Sequence, residues 1–249
     1  MSHPESIRTN EAETTDSGKA SLYRSGGVAA LILLLYCLAT MIVVVVVGTA
    51  PGTAAETFAM LQNNRIVGLL RLDILTLFMM PLYYLLFPSI CVALWRTDGL
   101  YAALATALVF VGLTLFLATP SALSMLALAD KYAAATNEAT RGQLLAAGEA
   151  IAASDMWHGT GATVGGLLLQ SGALWISVVM LKGRVFSKAV AWSGILTHGL
   201  DLAHLIILPF VPTAGIVLMA IGGVLYLVWL PLVGFRLFQL GRAKTGLGA

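Results

Sequence analysis

Three ionisable side chains, His198, Asp201 and His204, recur every third residue inside AVAWSGILTHGLDLAHLIILPF, residues 189 to 210, a run otherwise apolar enough to cross a membrane. An imidazole can accept, donate or titrate near neutral pH, and a carboxylate beside it can orient it or take its proton. Placing each such group in hydrocarbon costs roughly 2.5 to 3.5 kcal/mol, so all three must turn toward protein or water. At ~3.6 residues per turn they fall within about 120° of one another on a helix, where a single partner surface can satisfy them. Ionisable residues inside spans mark ligand, ion or proton sites by default.

Four further groups belong with them. Arg71 and Asp73 stand near the start of the second apolar block, and Asp155 and His158 just before the fourth. The ligand-binding candidates are therefore Arg71, Asp73, Asp155, His158, His198, Asp201 and His204. Arg71 and Asp73, two apart, face nearly opposite sides of a helix and need partners elsewhere. Two other chemistries use the same residues. His158, His198 and His204 are three neutral imidazoles with Asp73, Asp155 and Asp201 to support them, the inventory of a membrane-embedded zinc hydrolase acting on a lipid-like substrate. The plainer alternative is a hydrogen-bonded network that fixes helix register. No catalytic residue is assigned, and no cofactor is expected.

The elements that must position these groups are transmembrane helices. The chain has 249 residues, 59% of them hydrophobic and only 10% charged, with mean hydropathy +0.89, against about 25% charged in a soluble domain. The net charge is +2 and the basic residues are scattered among loops, so no stripe exists to track a nucleic acid. Cys37 and Cys91 lie singly in apolar segments, which implies packing rather than a disulfide or metal.

In chain order, residues 1 to 24 are polar and aperiodic and read as a disordered tail. Apolar blocks follow at about 26 to 49, 66 to 95, 100 to 118, 160 to 181, 189 to 210 and 214 to 235, each long enough to span. GTAPGTA marks the exit of the first, a signal anchor. RTDG, 96 to 99, is a tight turn between the second and third. Residues 130 to 155 are mixed. Asn137 suits an N-cap and Glu138 the first turn, and apolar residues then recur at helical spacing, so this stretch reads as an amphipathic helix on the membrane surface or over the bundle. Gly161 and Gly165 give a small-xxx-small spacing for close packing. Trp95, Tyr101, Tyr132 and Trp192 sit near span ends, where aromatic belts lie.

Orientation follows from the basic residues. Arg8, Lys19, Arg24, Arg96, Lys182, Arg184, Lys188, Arg236, Arg242 and Lys244 fall on one side of six alternating spans, and Arg65, Lys131 and Arg141 on the other, with Arg71 inside a span. The richer side is cytoplasmic, and so are both termini. LDILTL at 72 to 77 and LDLAHL at 200 to 205 raise the further expectation of an inverted repeat of three helices each.

ALADKYAAATNEATRGQLLAAGEAI (127 to 151) and FSKAVAWSGIL (186 to 196) resemble an uncharacterised family of bacterial and archaeal six-span membrane proteins. The resemblance implies architecture and a bacterial inner-membrane location, with no catalytic residues to transfer. The histidines also loosely resemble those of the seven-span hydrolases that include alkaline ceramidases and adiponectin receptors, which use a closer histidine pair on the last helix. The expectation is thus an all-α, six-transmembrane-helix bundle with an extracytoplasmic amphipathic helix. Residues 1–24 would form a cytoplasmic tail, 25–240 the membrane domain and 241–249 a second tail. Its partners would be the lipid bilayer and a small ligand, ion or lipid headgroup bound in the outer half, with no nucleic acid.

Overall fold

A chain this poor in charge has to satisfy its backbone N–H and C=O groups internally, and helices do so within one segment. The computed structural model describes residues 4 to 48, 51 to 119 and 121 to 243, with side chains described from residue 17 to 242 of these stretches. Among the described residues it is helical, with no strand. The helices are α1 (Pro4–Val47), α2 (Ala54–Asn63), α3 (Arg65–Arg71), α4 (Ile74–Met79), α5 (Tyr83–Leu117), α6 (Ala122–Ala134), α7 (Glu138–Ala153), α8 (Thr160–Lys182), α9 (Lys188–Ile207) and α10 (Pro212–Ala243). A 3-10 turn, Met80–Leu82, joins α4 to α5.

Among the described residues five stretches are long and apolar enough to cross a membrane: Ser17–Val47, Ile74–Ala134, Thr160–Lys182, Lys188–Ile207 and Pro212–Arg242. The sequence led us to expect six. The difference lies in Ile74–Ala134, 61 residues that would extend about 90 Å as one helix against a hydrocarbon core of about 30 Å. Asp98, in the middle of RTDG, breaks it with φ −163° and ψ 68° inside α5.

Three other expectations differ from the structure. Residues 4 to 24 continue α1 rather than forming a disordered tail. Pro4 suits a first helical position, and at the far end of this extension Ala20 and Tyr23 are buried while Arg24 donates to the Gly241 carbonyl. Helix α10 likewise reaches Ala243, so the expected tail from 241 begins inside a helix, and residues 244 to 249 lie outside the described ones. The block from 66 to 95 is not continuous. Helix α3 stops at Arg71, and Asp73 takes a left-handed conformation, φ 56° and ψ 37°, before α4 starts. Aspartate is one of the few non-glycine residues that visit this region as single positions.

The chain forms two compact units. The first comprises Met1–Leu34, Leu82–Val109 and Gln170–Ala249. Here α10 runs antiparallel to α1: Gly241 lies by Ala20 and Arg24, Gly27 by Phe238, and Gly234 by Ala30. The limb of α5 before Asp98 packs on α1 and α10 through Ser89, which donates to the Leu22 carbonyl (2.8 Å), and Phe87, whose ring faces Trp229. The limb after Asp98 packs along α8: Lys182 pairs with Asp98 (2.8 Å), Tyr101 meets Trp175, and Ala105 lies against Gly172. A Cβ on Gly172 would sit 2.5 Å from the Ala105 carbonyl oxygen, so only a glycine lets the two backbones approach this closely.

The second unit comprises Leu35–Pro81 and Phe110–Leu169. Its core is Phe58, Leu61, Met125 and Ala129, covered by Tyr132, Leu145 and Ile151 among others. Helix α7 starts as expected, with the Asn137 side chain accepting from the Thr140 amide (2.8 Å). It packs by Gly148 against Ala54 and Phe58, and Glu149 accepts from the Ala54 amide (2.7 Å) at the start of α2. Helix α2 was not anticipated. Its signal is Thr53-x-x-Glu56 ahead of apolar residues, the spacing of a capping box, and Thr53 Oγ1 accepts from the Glu56 amide. A Cβ on Gly165 would lie 2.8 Å from Gly112 and Phe116 backbone atoms, the close packing that the small-xxx-small spacing implies.

Candidate functional site

In the first unit α8, α9 and α10 each contribute to one polar cluster. Helix α9 starts on Ser187, whose side chain accepts from the Val190 amide. From there its three-residue spacing turns His198 and Asp201 toward α8 and α10. His198 is fully buried. Gln170 of α8 is the hub: its Nε2 donates to Asp201 Oδ2 (3.1 Å) and to the Tyr226 hydroxyl (3.2 Å), which leaves Oε1 facing His198 Nδ1 at 2.8 Å. The Tyr226 hydroxyl donates to Asp201 Oδ2 (2.9 Å) and lies 3.4 Å from His198 Nδ1.

This pattern sets the histidine tautomer. Because Gln170 presents its carbonyl oxygen, Nδ1 carries the proton and Nε2 is left with a bare lone pair. Nε2 has no hydrogen-bond partner. The same ring meets Trp229 edge to face, with centroids 4.6 Å apart, and Tyr226 at 5.5 Å. Trp229 is itself buried with its Nε1 unpartnered. Gly194 lets the α9 backbone approach, since a Cβ there would lie 2.7 Å from Trp229 Nε1. Both bonds to Asp201 end on Oδ2, while Oδ1 faces Gly222, where a Cβ would sit 2.7 Å away.

His204 does a different job. Its Nδ1 donates to the Gly215 carbonyl (2.9 Å) and ties the end of α9 to the first turn of α10. A Cβ on Gly215 would lie 2.6 Å from the Leu208 Cα, so this hairpin needs glycine.

The other sequence candidates belong to the second unit. Arg71 is buried and its Nη2 has no partner; Asp73 forms the left-handed break two residues later. The break also undoes the opposite-face argument for this pair, because no helix runs through both. Nearby, the Tyr36 hydroxyl and Thr76 Oγ1 are 2.5 Å apart. Asp155 and His158 form a local turn between α7 and α8. Asp155 Oδ1 accepts from the Trp157 and His158 amides (2.8 and 3.0 Å) and lies 3.0 Å from His158 Nδ1. The His158 side chain is 70% exposed, which suits a turn closed by its own residues.

Of the seven candidates, the structure joins His198 to Asp201 through Gln170 and Tyr226. Tyr226 and Trp229 were not foreseen; Gln170, in the fourth apolar block, reads from the sequence either as a cap on the polar cluster or as a hydrogen bond across helices. A glutamine and a tyrosine in the middle of apolar helices are the signal, though neither carries a formal charge. Among the described residues no three His, Cys, Asp or Glu side chains are grouped to hold a metal ion; His198 and His204 lie in the first unit and His158 in the second. The two LDxxxL strings also differ in shape: Asp73 breaks a helix while Asp201 lies within one, which removes the ground for the inverted repeat.

No family model, curated protein or solved structure matches this chain.

Proposed function

We propose that the chain is an integral membrane protein of six crossings, with both termini cytoplasmic, and that Gln170, His198, Asp201 and Tyr226 form an intramembrane site for a small cation bearing hydrogen-bond donors. The unpartnered Nε2 of fully buried His198, in a network whose carboxylate keeps one oxygen off its internal bonds, carries this reading. A buried polar atom left unpaired costs about 1 to 3 kcal/mol, whereas intramembrane hydrogen bonds return on average about 0.6 kcal/mol each. Two orphan nitrogens therefore offset most of what the cluster gains. A network kept only for helix register would have no reason to bear that cost. Both free acceptors, an imidazole lone pair and a carboxylate oxygen, ask for a donor with positive charge, such as an ammonium group.

The crossing number is supported by Asp98. Its two limbs lead away from the same end of the first unit, one beside α1 and α10 and the other antiparallel to α8. Sidedness is supported by the cations of that end: Arg24 by Gly241, Lys182 by Asp98, and Arg236 donating to the Val185 carbonyl. The bilayer partner is supported by exposed apolar residues such as Val45 (83%) and Phe210 (82%), since soluble surfaces rarely expose such faces contiguously.

Thermal unfolding of detergent-purified protein titrated with methylammonium tests the site. A ligand at 100 times its Kd stabilises by about 2.7 kcal/mol, so the melting temperature should rise by several degrees in the wild type and not in Asp201→Asn. If His198→Leu is more stable than the wild type and methylammonium shifts neither protein, the site reading fails.

A further inference from the structure

We infer that the first unit holds an anionic phospholipid at its basic end, its headgroup on Arg184 and Arg236 and an acyl chain along α10. A cavity of about 310 Å³ opens between the α8–α9 turn and the last third of α10, with Arg184, Ser187, Arg236 and Gln239 in its polar lining and Leu232 and Phe235 in its apolar lining. Its polar wall is cationic with no acid to answer it: neither arginine makes a salt bridge among the described residues. Arg236 is held in place, its Nε donating to the Val185 carbonyl (2.5 Å) and its Nη1 to Gln239 (2.9 Å), which leaves Nη2 for a ligand. Arg184 is exposed and makes no such bond. Two guanidinium groups around one hollow match the oxygens of a phosphodiester.

The apolar wall continues away from the cavity. Val217, Ile221, Val224, Val228, Leu232 and Phe235 are all exposed, Phe235 by 64%. They recur every three or four residues and so form one stripe along α10 for about 27 Å. A cationic cradle that opens onto an uncovered apolar track is complementary to a charged headgroup joined to a fatty chain, and a free phosphate would leave the track unused. The inference rests on the membrane reading above but uses none of the His198 cluster.

The full-length protein, incorporated into nanodiscs of phosphatidylcholine with a minor fraction of phosphatidylglycerol, is released and its bound lipid measured by native mass spectrometry. Phosphatidylglycerol should be retained preferentially. Near a membrane surface each basic residue contributes about 1 kcal/mol toward anionic lipid, so Arg184→Gln, which breaks no internal contact, should weaken retention about fivefold, and Arg184→Lys should keep most of it. Equal retention of the two lipids, or Arg184→Gln retaining as much as wild type, overturns the assignment. Protein that enters no nanodisc at all overturns the membrane reading instead.

Discussion

Asp201 holds its place because the residue facing it is a glycine. A methyl group on Gly222 would come within 2.7 Å of Asp201 Oδ1. A free aspartate would swing aside at little cost, but this one is held by Gln170 and Tyr226. Gly222→Ala should therefore lower stability by only about 1 kcal/mol, within the ordinary range for small overpacking, while abolishing the methylammonium shift. Thermal unfolding with and without the amine measures both, and a variant that keeps the shift contradicts the geometry. At this scale the sequence was informative about charge and less so about neutral polar groups, for it offered a role to Gln170 and none to Tyr226. His198 and Asp201 stand out because ionisable residues in apolar runs are costly. Gln170 and Tyr226 carry no such cost on paper, yet they decide which nitrogen of His198 is free. Asp155 and His158 misled because a topological count places them near the membrane and says nothing of a turn that satisfies itself.

Helices here are positioned by what their glycines permit. Gly172 admits the Ala105 carbonyl at a distance no Cβ tolerates, and that obstacle is main chain, which cannot rotate away. Gly172→Val should separate α8 from α5 and cost several kcal/mol, lowering the melting temperature markedly, as overpacking of close contacts does. Gly223→Ala is the counterpart: nothing lies within 4 Å of its Cβ position, so it should gain up to about 1 kcal/mol of helix propensity. Similar losses for both would mean that α8 and α5 are not in contact. The long apolar blocks announced α8 and α9 to within a few residues and the start of α10, which runs on to Ala243 past the expected 235. They failed at 66 to 95, because hydropathy registers composition and cannot see one aspartate adopt φ 56°. They also passed over α2, whose ten residues are too short for a hydropathy window and announce themselves only by a cap.

For the whole molecule the number of crossings decides where the termini lie. Six crossings would put both on one face, and five would put them on opposite faces. With Cys37 and Cys91 replaced by alanine, a membrane-impermeant maleimide applied to intact cells should label Gly52→Cys and Gly142→Cys and leave Lys188→Cys unlabelled until the cells are opened. Labelling of Lys188→Cys alone reverses the orientation, and labelling of only one of Gly52→Cys and Gly142→Cys refutes the six-crossing topology. Helicity was legible from composition alone, since a chain with so few charges has few other ways to satisfy its backbone. The break at Asp98 was legible as well, because it falls within RTDG, whose composition is that of a turn. One bond also sets an order of events. The amide of Ala54 is capped by a carboxylate 95 residues downstream, so during synthesis at about 5 to 20 residues per second α2 waits roughly 5 to 20 s for Glu149 to emerge. Over that interval the nascent second unit lacks the carboxylate that closes α2, and a ribosome stalled before residue 149 would expose that helix end to proteases that never reach it in the finished protein.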